Sequence, residues 1–76
     1  MPRFHFDIHE NGCFTPDEDG REFVDGDDAR KEAVLTGASI ARDAFTTGSA
    51  HRIVVDVREE GVPFLKVSIT LEVEEA

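Results

Sequence analysis

His5, Asp7, His9 and Cys13 are the residues whose types and spacing could do chemistry. Imidazole, carboxylate and thiolate all bind zinc, provided they converge within about 2.0–2.3 Å of one ion. Alternation places the four on the outer face of a first hairpin. A strand advances about 3.3 Å per residue, so His5 and His9 lie roughly 13 Å apart and cannot share a metal. His9 and Cys13, as cross-strand neighbours at about 5 Å, could share one, and Asp7 joins them only with a bend. The candidate ligand set is therefore His9, Cys13 and Asp7. It is half a site, without CxxC or HExxH spacing, and a swapped or symmetric dimer would have to complete it. The plain alternative is a solvated strand face carrying two imidazoles.

Cys13 and His9 are also the only plausible nucleophile and base. Nothing in the sequence forms an oxyanion hole, and the GxGxxG and GxxxxGK[ST] phosphate loops are missing. A chain of 76 residues has little room for a pocket of ~300 Å³ or more. No catalytic residue and no cofactor is expected, and the chain does not read as an enzyme.

Asp17, Glu18, Asp19, Asp25, Asp27 and Asp28 cluster before a helix. Oxygen-rich loops suit calcium, but the D-x-[DN]-x-[DN]-G run with its closing Glu is absent. Turn formation and helix capping account for most of these acids. Arg52, Arg58 and Lys66 could share the outer sheet face with Arg3 and His5. Cross-strand pairing with Asp7, Asp56 and Glu72 is the expected fate of those charges.

The elements that must position these groups follow from periodicity. Phe4, Phe6 and Ile8 alternate with Arg3, His5, Asp7 and His9, the mark of a strand with one buried face. That strand begins almost at Met1, so no leader segment is expected. Glu10-Asn11-Gly12 is a turn with two registers. A two-residue Asn11-Gly12 turn pairs His9 with Phe14. A three-residue loop pairs Ile8 with Phe14 and His9 with Cys13. The second is preferred because it keeps apolar groups on one face. Thr15 to Gly20 is a loop, and Arg21 to Val24 could continue the second strand after a break.

Asp25 or Asp27 caps a helix that runs to about Phe45. Ala33, Val34, Gly37, Ala38, Ala41, Ala44 and Phe45 form its apolar stripe. These side chains are small enough to let the helix lie close to a sheet. Leu35 falls off the stripe and could belong to a dimer contact. His51 to Arg58 is the third strand, with Ile53, Val55 and Val57 on one face. Phe64 to about Val73 is the fourth. Its apolar face is Leu65, Val67, Ile69, Leu71 and Val73, and Phe64 lies with Lys66, Ser68 and Thr70 on the other.

The expected fold is α+β, a single two-layer ββαββ domain over 1–76, with a four-stranded, mainly antiparallel sheet and one helix on one face. A right-handed crossover leaves the third strand parallel to the second, and an all-antiparallel sheet results if the third strand lies beside the first, giving spatial order 2-1-3-4.

Composition narrows the function classes. The chain has 17 acidic and 8 basic residues and a formal net charge of −9. Affinity for phosphate rests on Lys and Arg, so neither nucleic acid nor an anionic membrane is an expected partner. Cys13 is the only cysteine, which excludes a disulfide within the chain and points to a reducing, cytoplasmic setting.

Several pieces carry a resemblance: Met1-Pro2-Arg3-Phe4-His5-Phe6-Asp7, Asp19-Gly20-Arg21-Glu22-Phe23, Asp28-Ala29-Arg30-Lys31-Glu32-Ala33, Val55-Asp56-Val57-Arg58 and Gly61. Over nearly its whole length the chain resembles an uncharacterised family of short bacterial proteins, domain of unknown function 6894. That resemblance implies no activity, ligand or catalytic residue. His9 and Cys13 are not among its hallmarks.

Domains this small gain stability by association. A non-catalytic interaction or structural module that associates with itself is the leading expectation. Its partner would be a protein or a second copy. A small-ligand or zinc sensor built on the His9/Cys13 corner is the alternative.

Overall fold

Alternating apolar residues become strands at both ends of the chain, and the alanine-rich middle becomes the helix that covers them. The computed structural model describes residues 1–76. In order, the elements are β1 (Arg3–Glu10), β2 (Cys13–Thr15), β3 (Arg21–Glu22), α1 (Gly26–Thr47), β4 (Arg52–Glu59) and β5 (Val62–Thr70). The sheet runs β2-β1-β4-β5, all antiparallel, and β3 pairs with β1 on the side that β2 occupies. The α+β class and the strand order agree with the expectation. The short extended piece does continue the second strand after a break, which raises the strand count to five.

Helix α1 begins at Asp25, whose carboxylate accepts the Asp28 N–H at 3.0 Å. Asp27 and Asp28 in the first turn complement the positive end of the helix dipole. Gly48, left-handed at φ 79°, closes the other end by donating its N–H to the Ala44 carbonyl. The buried stripe is Ala29, Ala33, Gly37, Ala41 and Ala44. Val34 and Ala38, expected on that stripe, are exposed, Val34 at 45%. The helix is rotated so that only its smallest residues are fully buried, with Ile40 and Phe45 packing at the margin. A Cβ on Gly37 would sit 3.0 Å from Ile69 Cδ1 and 3.3 Å from Val55 Cγ2, so the helix approaches β4 and β5 as closely as its backbone permits.

Beneath it Ile53, Val55 and Val57 on β4 are almost fully buried. One cluster joins Phe4, Ala29, Ala33, Val55 and Val57; the other joins Ala41, Ala44, Ala50 and Ile53. Phe23 closes the first cluster, meeting the rings of Phe4 and Phe6 edge-on at 5.9 and 5.7 Å.

Two sequence expectations are corrected. The hairpin takes the two-residue Asn11-Gly12 turn: Ile8 pairs with Thr15, His9 with Phe14 and Glu10 with Cys13. Asn11 and Gly12 both have positive φ, 50° and 78°, as the turn that matches strand twist requires. Keeping Phe14 on the core face carries little weight, because β2 is three residues long and exposed throughout. Phe64 is the second correction. The pairing of β4 with β5 slips between Val57 and Arg58, from Val57↔Leu65 to Arg58↔Pro63. Phe64 is the extra residue, and the bulge turns its ring to the helix side. There it meets Phe4 at 5.3 Å and lies against the backbone of Gly26. The fourth strand also begins and ends earlier than expected, at Val62 and Thr70.

Candidate functional site

The helix leaves one face of the sheet open. His5, Asp7 and His9 lie on that face from β1, with Val54, Asp56 and Arg58 from β4 and Lys66 from β5. Phe14, paired with His9, joins them from β2.

At its centre is a buried carboxylate. Asp7 is only 5% exposed. Arg58 Nε and Nη2 donate to its two oxygens at 2.6 and 3.1 Å, and the Asp17 N–H donates to Oδ1 at 2.9 Å. The guanidinium bonds lower the Asp7 carboxyl below its ordinary range, outweighing burial, and Asp7 in turn raises Arg58.

Asp17 is the second anchor. Between Ile8↔Thr15 and Phe4↔Arg21 the chain has six steps on one side against four on β1. The surplus loops out over 16–20 and would leave the outer edge of β1 unpaired. Asp17 fills the gap: its carboxylate accepts the Phe6 N–H at 3.1 Å and the Gly20 N–H at 3.0 Å. Burial pushes the Asp17 carboxyl up, but these amide bonds prevail and its pKa is lowered. The Asp17 carbonyl meets His5 Nδ1 at 2.9 Å and accepts from Arg58 Nη2 at 3.2 Å. Sequence pattern alone offers no sign of Asp17 as a partner of β1, because the contact closes across the loop.

The expected metal ligands are not brought together. His9 pairs with Phe14, so Cys13, opposite Glu10, belongs to the other face of the hairpin. Asp7 is occupied by Arg58 and the Asp17 amide. No group of three or more His, Cys, Asp or Glu side chains converges as a metal site would require. His9 instead stacks on Phe14, with ring centroids 4.5 Å apart, and its Nε2 lies 3.0 Å from Asp56 Oδ2. Lys66 Nζ is 4.0 Å from the other Asp56 oxygen. Two basic residues of this face are thus paired across strands, Arg58 with Asp7 and Lys66 with Asp56, while Arg52 has no ion-pair partner.

Of the loop acids, Asp17 belongs to this network and Asp25 caps the helix. Two open hollows flank the His9–Asp56 pair. One, of about 520 Å³, is bordered by His9, His51, Arg52 and Lys66 together with Glu10 and Asp56. The other, of about 570 Å³, lies between Phe14 and Pro63 above Asp7 and Arg58.

Beyond the face is an edge. β5 pairs with β4 on one side only. The Leu71 N–H donates to the His51 carbonyl at 2.9 Å, which sets the phase of the ladder: Ile69, Val67 and Leu65 direct their backbone groups to β4. Thr70, Ser68 and Lys66 direct theirs to open space.

No helix is long and apolar enough to cross a membrane. No curated protein and no solved structure matches the chain. The profile of a family described as a domain of unknown function, DUF6894, matches residues 3–70. The matched span takes in all five strands and the helix, and the chain belongs to DUF6894.

Proposed function

We propose that this protein is a non-catalytic interaction module that works through the free edge of its sheet and associates with itself. The observation that supports this reading is the outer side of β5. The strand is nine residues long and has a partner on one side only. Unpaired strand edges are templates for a further strand. Pro63 and the bulge at Phe64 protect one end of the strand, which confines the receptive stretch to the residues that follow. At the centre of the open face Asp7, Asp17, Arg58, His9 and Asp56 are engaged with one another, as suits a structural surface better than a reaction centre.

Proline at an outward-facing edge position removes the N–H that a partner strand needs, and an edge strand tolerates it. Ser68→Pro is therefore expected to keep the circular-dichroism spectrum and run as a monomer, while the parent sediments as a dimer. A parent that stays monomeric at high concentration overturns self-association.

A small-ligand sensor is the second reading, supported by the hollow of about 520 Å³ beside His9. His51, Arg52 and Lys66 around it favour an anion. The zinc version has lost Cys13 as a neighbour of His9. Thermal shift against inorganic phosphate and against Zn²⁺ tests both, since a ligand that binds only the folded state raises Tm.

A further inference from the structure

We infer that residues 11–22, which carry β2, the loop 16–20 and β3, form a flap that acid releases from the outer edge of β1 while the rest of the domain stays folded.

Nothing apolar in this segment is buried. Within 11–22 every residue is exposed except Asp17 and Gly20, which are half-buried. Apolar burial is what makes local opening expensive, and both core clusters lie outside the flap. Residues 16–20 make no backbone-to-backbone hydrogen bond. Side chains of the sheet hold them instead. Arg3 donates to the Asp19 and Gly20 carbonyls at 2.9 and 3.4 Å, and His5 and Arg58 meet the Asp17 carbonyl. Towards the hairpin, Phe14 stacks on His9 from an exposed position. Towards the helix, Arg3–Glu22 and Arg21–Glu32 are largely exposed ion pairs, which add little.

The latch works only when its carboxylates are ionised. Asp17 faces His5 and Asp7 on β1 and Arg58 on β4. One Asp17 oxygen accepts the Phe6 N–H and the other the Gly20 N–H. A proton on either turns an acceptor into a donor that faces a donor. The Asp7 oxygens accept from Arg58 and the Asp17 N–H in the same way. Both carboxyls titrate below their ordinary range, so the latch holds at neutral pH and lets go as pH falls below about 4. A positive His5 favours both ionised carboxylates and delays the release.

Opening bares the outer backbone groups of Phe4, Phe6 and Ile8, a strand edge that the closed flap hides. The Phe6 N–H points to Asp17, and the Arg3 carbonyl accepts from Glu60. Even residues of β1 therefore bond outward, and odd residues bond to β4.

Hydrogen exchange followed by NMR from pH 7 to pH 3 separates these two sets within one strand. Rates are expressed as protection relative to an unstructured chain, which removes the intrinsic effect of pH. Protection of the Phe6 and Ile8 amides is expected to fall at least tenfold relative to Asp7 and His9 on acidification. Asp17→Ala is expected to show the low ratio already at pH 7, with little further change. Gly20→Ala is expected to do so with every charge in place, because its Cβ would lie 2.9 Å from the Phe4 carbonyl oxygen. If either variant folds poorly, the parent protein across pH decides alone. Phe6 and Ile8 protection that holds to pH 3 overturns acid release. Equal loss at all four amides means that the sheet opens as one unit, which overturns the flap.

Discussion

Asp7 and Arg58 lie on adjacent strands but are not register partners: Asp7 is paired with Asp56, and Arg58 with His5. Arg58 reaches diagonally to place two donors on the Asp7 carboxylate, at 2.6 and 3.1 Å. The diagonal leaves Arg58 Nη2 near the Asp17 carbonyl, so one guanidinium ties β4, β1 and the loop 16–20 together.

Asp7→Asn keeps the shape but removes the charge and one acceptor oxygen from a buried position. It leaves a donor unpaired, which costs about 1–3 kcal/mol. Urea denaturation should show a lower midpoint with little change in slope. An unchanged midpoint would remove this pair from the account of stability.

The same carboxylates set the response to acid. Asp7 and Asp17 both have lowered pKa values in the folded state. Their contribution is therefore fully present above the ordinary carboxylate pKa and is lost as pH falls through the folded value. Stability should hold near neutrality and decline below about pH 4. The Asp7→Asn/Asp17→Asn double variant should lose part of that decline. Thermal unfolding across pH measures both, and parallel curves for parent and variant contradict the assignment.

Gly12 is left-handed at φ 78° with open space around it, so replacing it strains backbone and causes no clash. Gly12→Ala is expected to cost roughly 1–2 kcal/mol. Loosening should concentrate in β2, and hydrogen exchange of the hairpin amides would report it. Gly37→Val acts for a different reason. Its first added carbon already sits 3.0 Å from Ile69 and 3.3 Å from Val55, so the helix must lift. A loss of about 1–3 kcal/mol is expected from the overpacking.

Self-association of a chain with a net charge of −9 works against charge repulsion. Raising ionic strength from about 0.01 M to about 0.5 M shortens the screening length well below molecular dimensions. The dimer Kd should fall severalfold over that range by analytical ultracentrifugation. Weaker association at high salt would point to an interface held by ion pairs, which the β5 edge does not offer.

The strands, the helix and its acidic cap, narrowed to Asp25 or Asp27, could be read from local pattern; the strand order needed the further assumption that the third strand lies beside the first. Phe4-x-Phe6-x-Ile8, Ile53-x-Val55-x-Val57 and Leu65-x-Val67-x-Ile69 each repeat at a period that one kind of backbone satisfies. A right-handed crossover then left few ways to arrange them. Cross-strand pairing of the basic residues with Asp7 and Asp56 was legible too, but the hairpin register, the turned ring of Phe64 and the link from Asp17 to Asp7 were not. Each depends on a balance between distant groups. Asn11-Gly12 prevailed over facial sorting because β2 has no core to protect. Phe64 turned inward where Phe4 and the bare backbone of Gly26 made room for a ring. Asp7 was drawn from a zinc-like row into an ion pair, because Arg58 and the Asp17 amide arrive from 51 and 10 residues away. Periodicity reports which way a side chain points. What it meets there is settled by chain that returns to the same place, and single-strand patterns hold no record of that return.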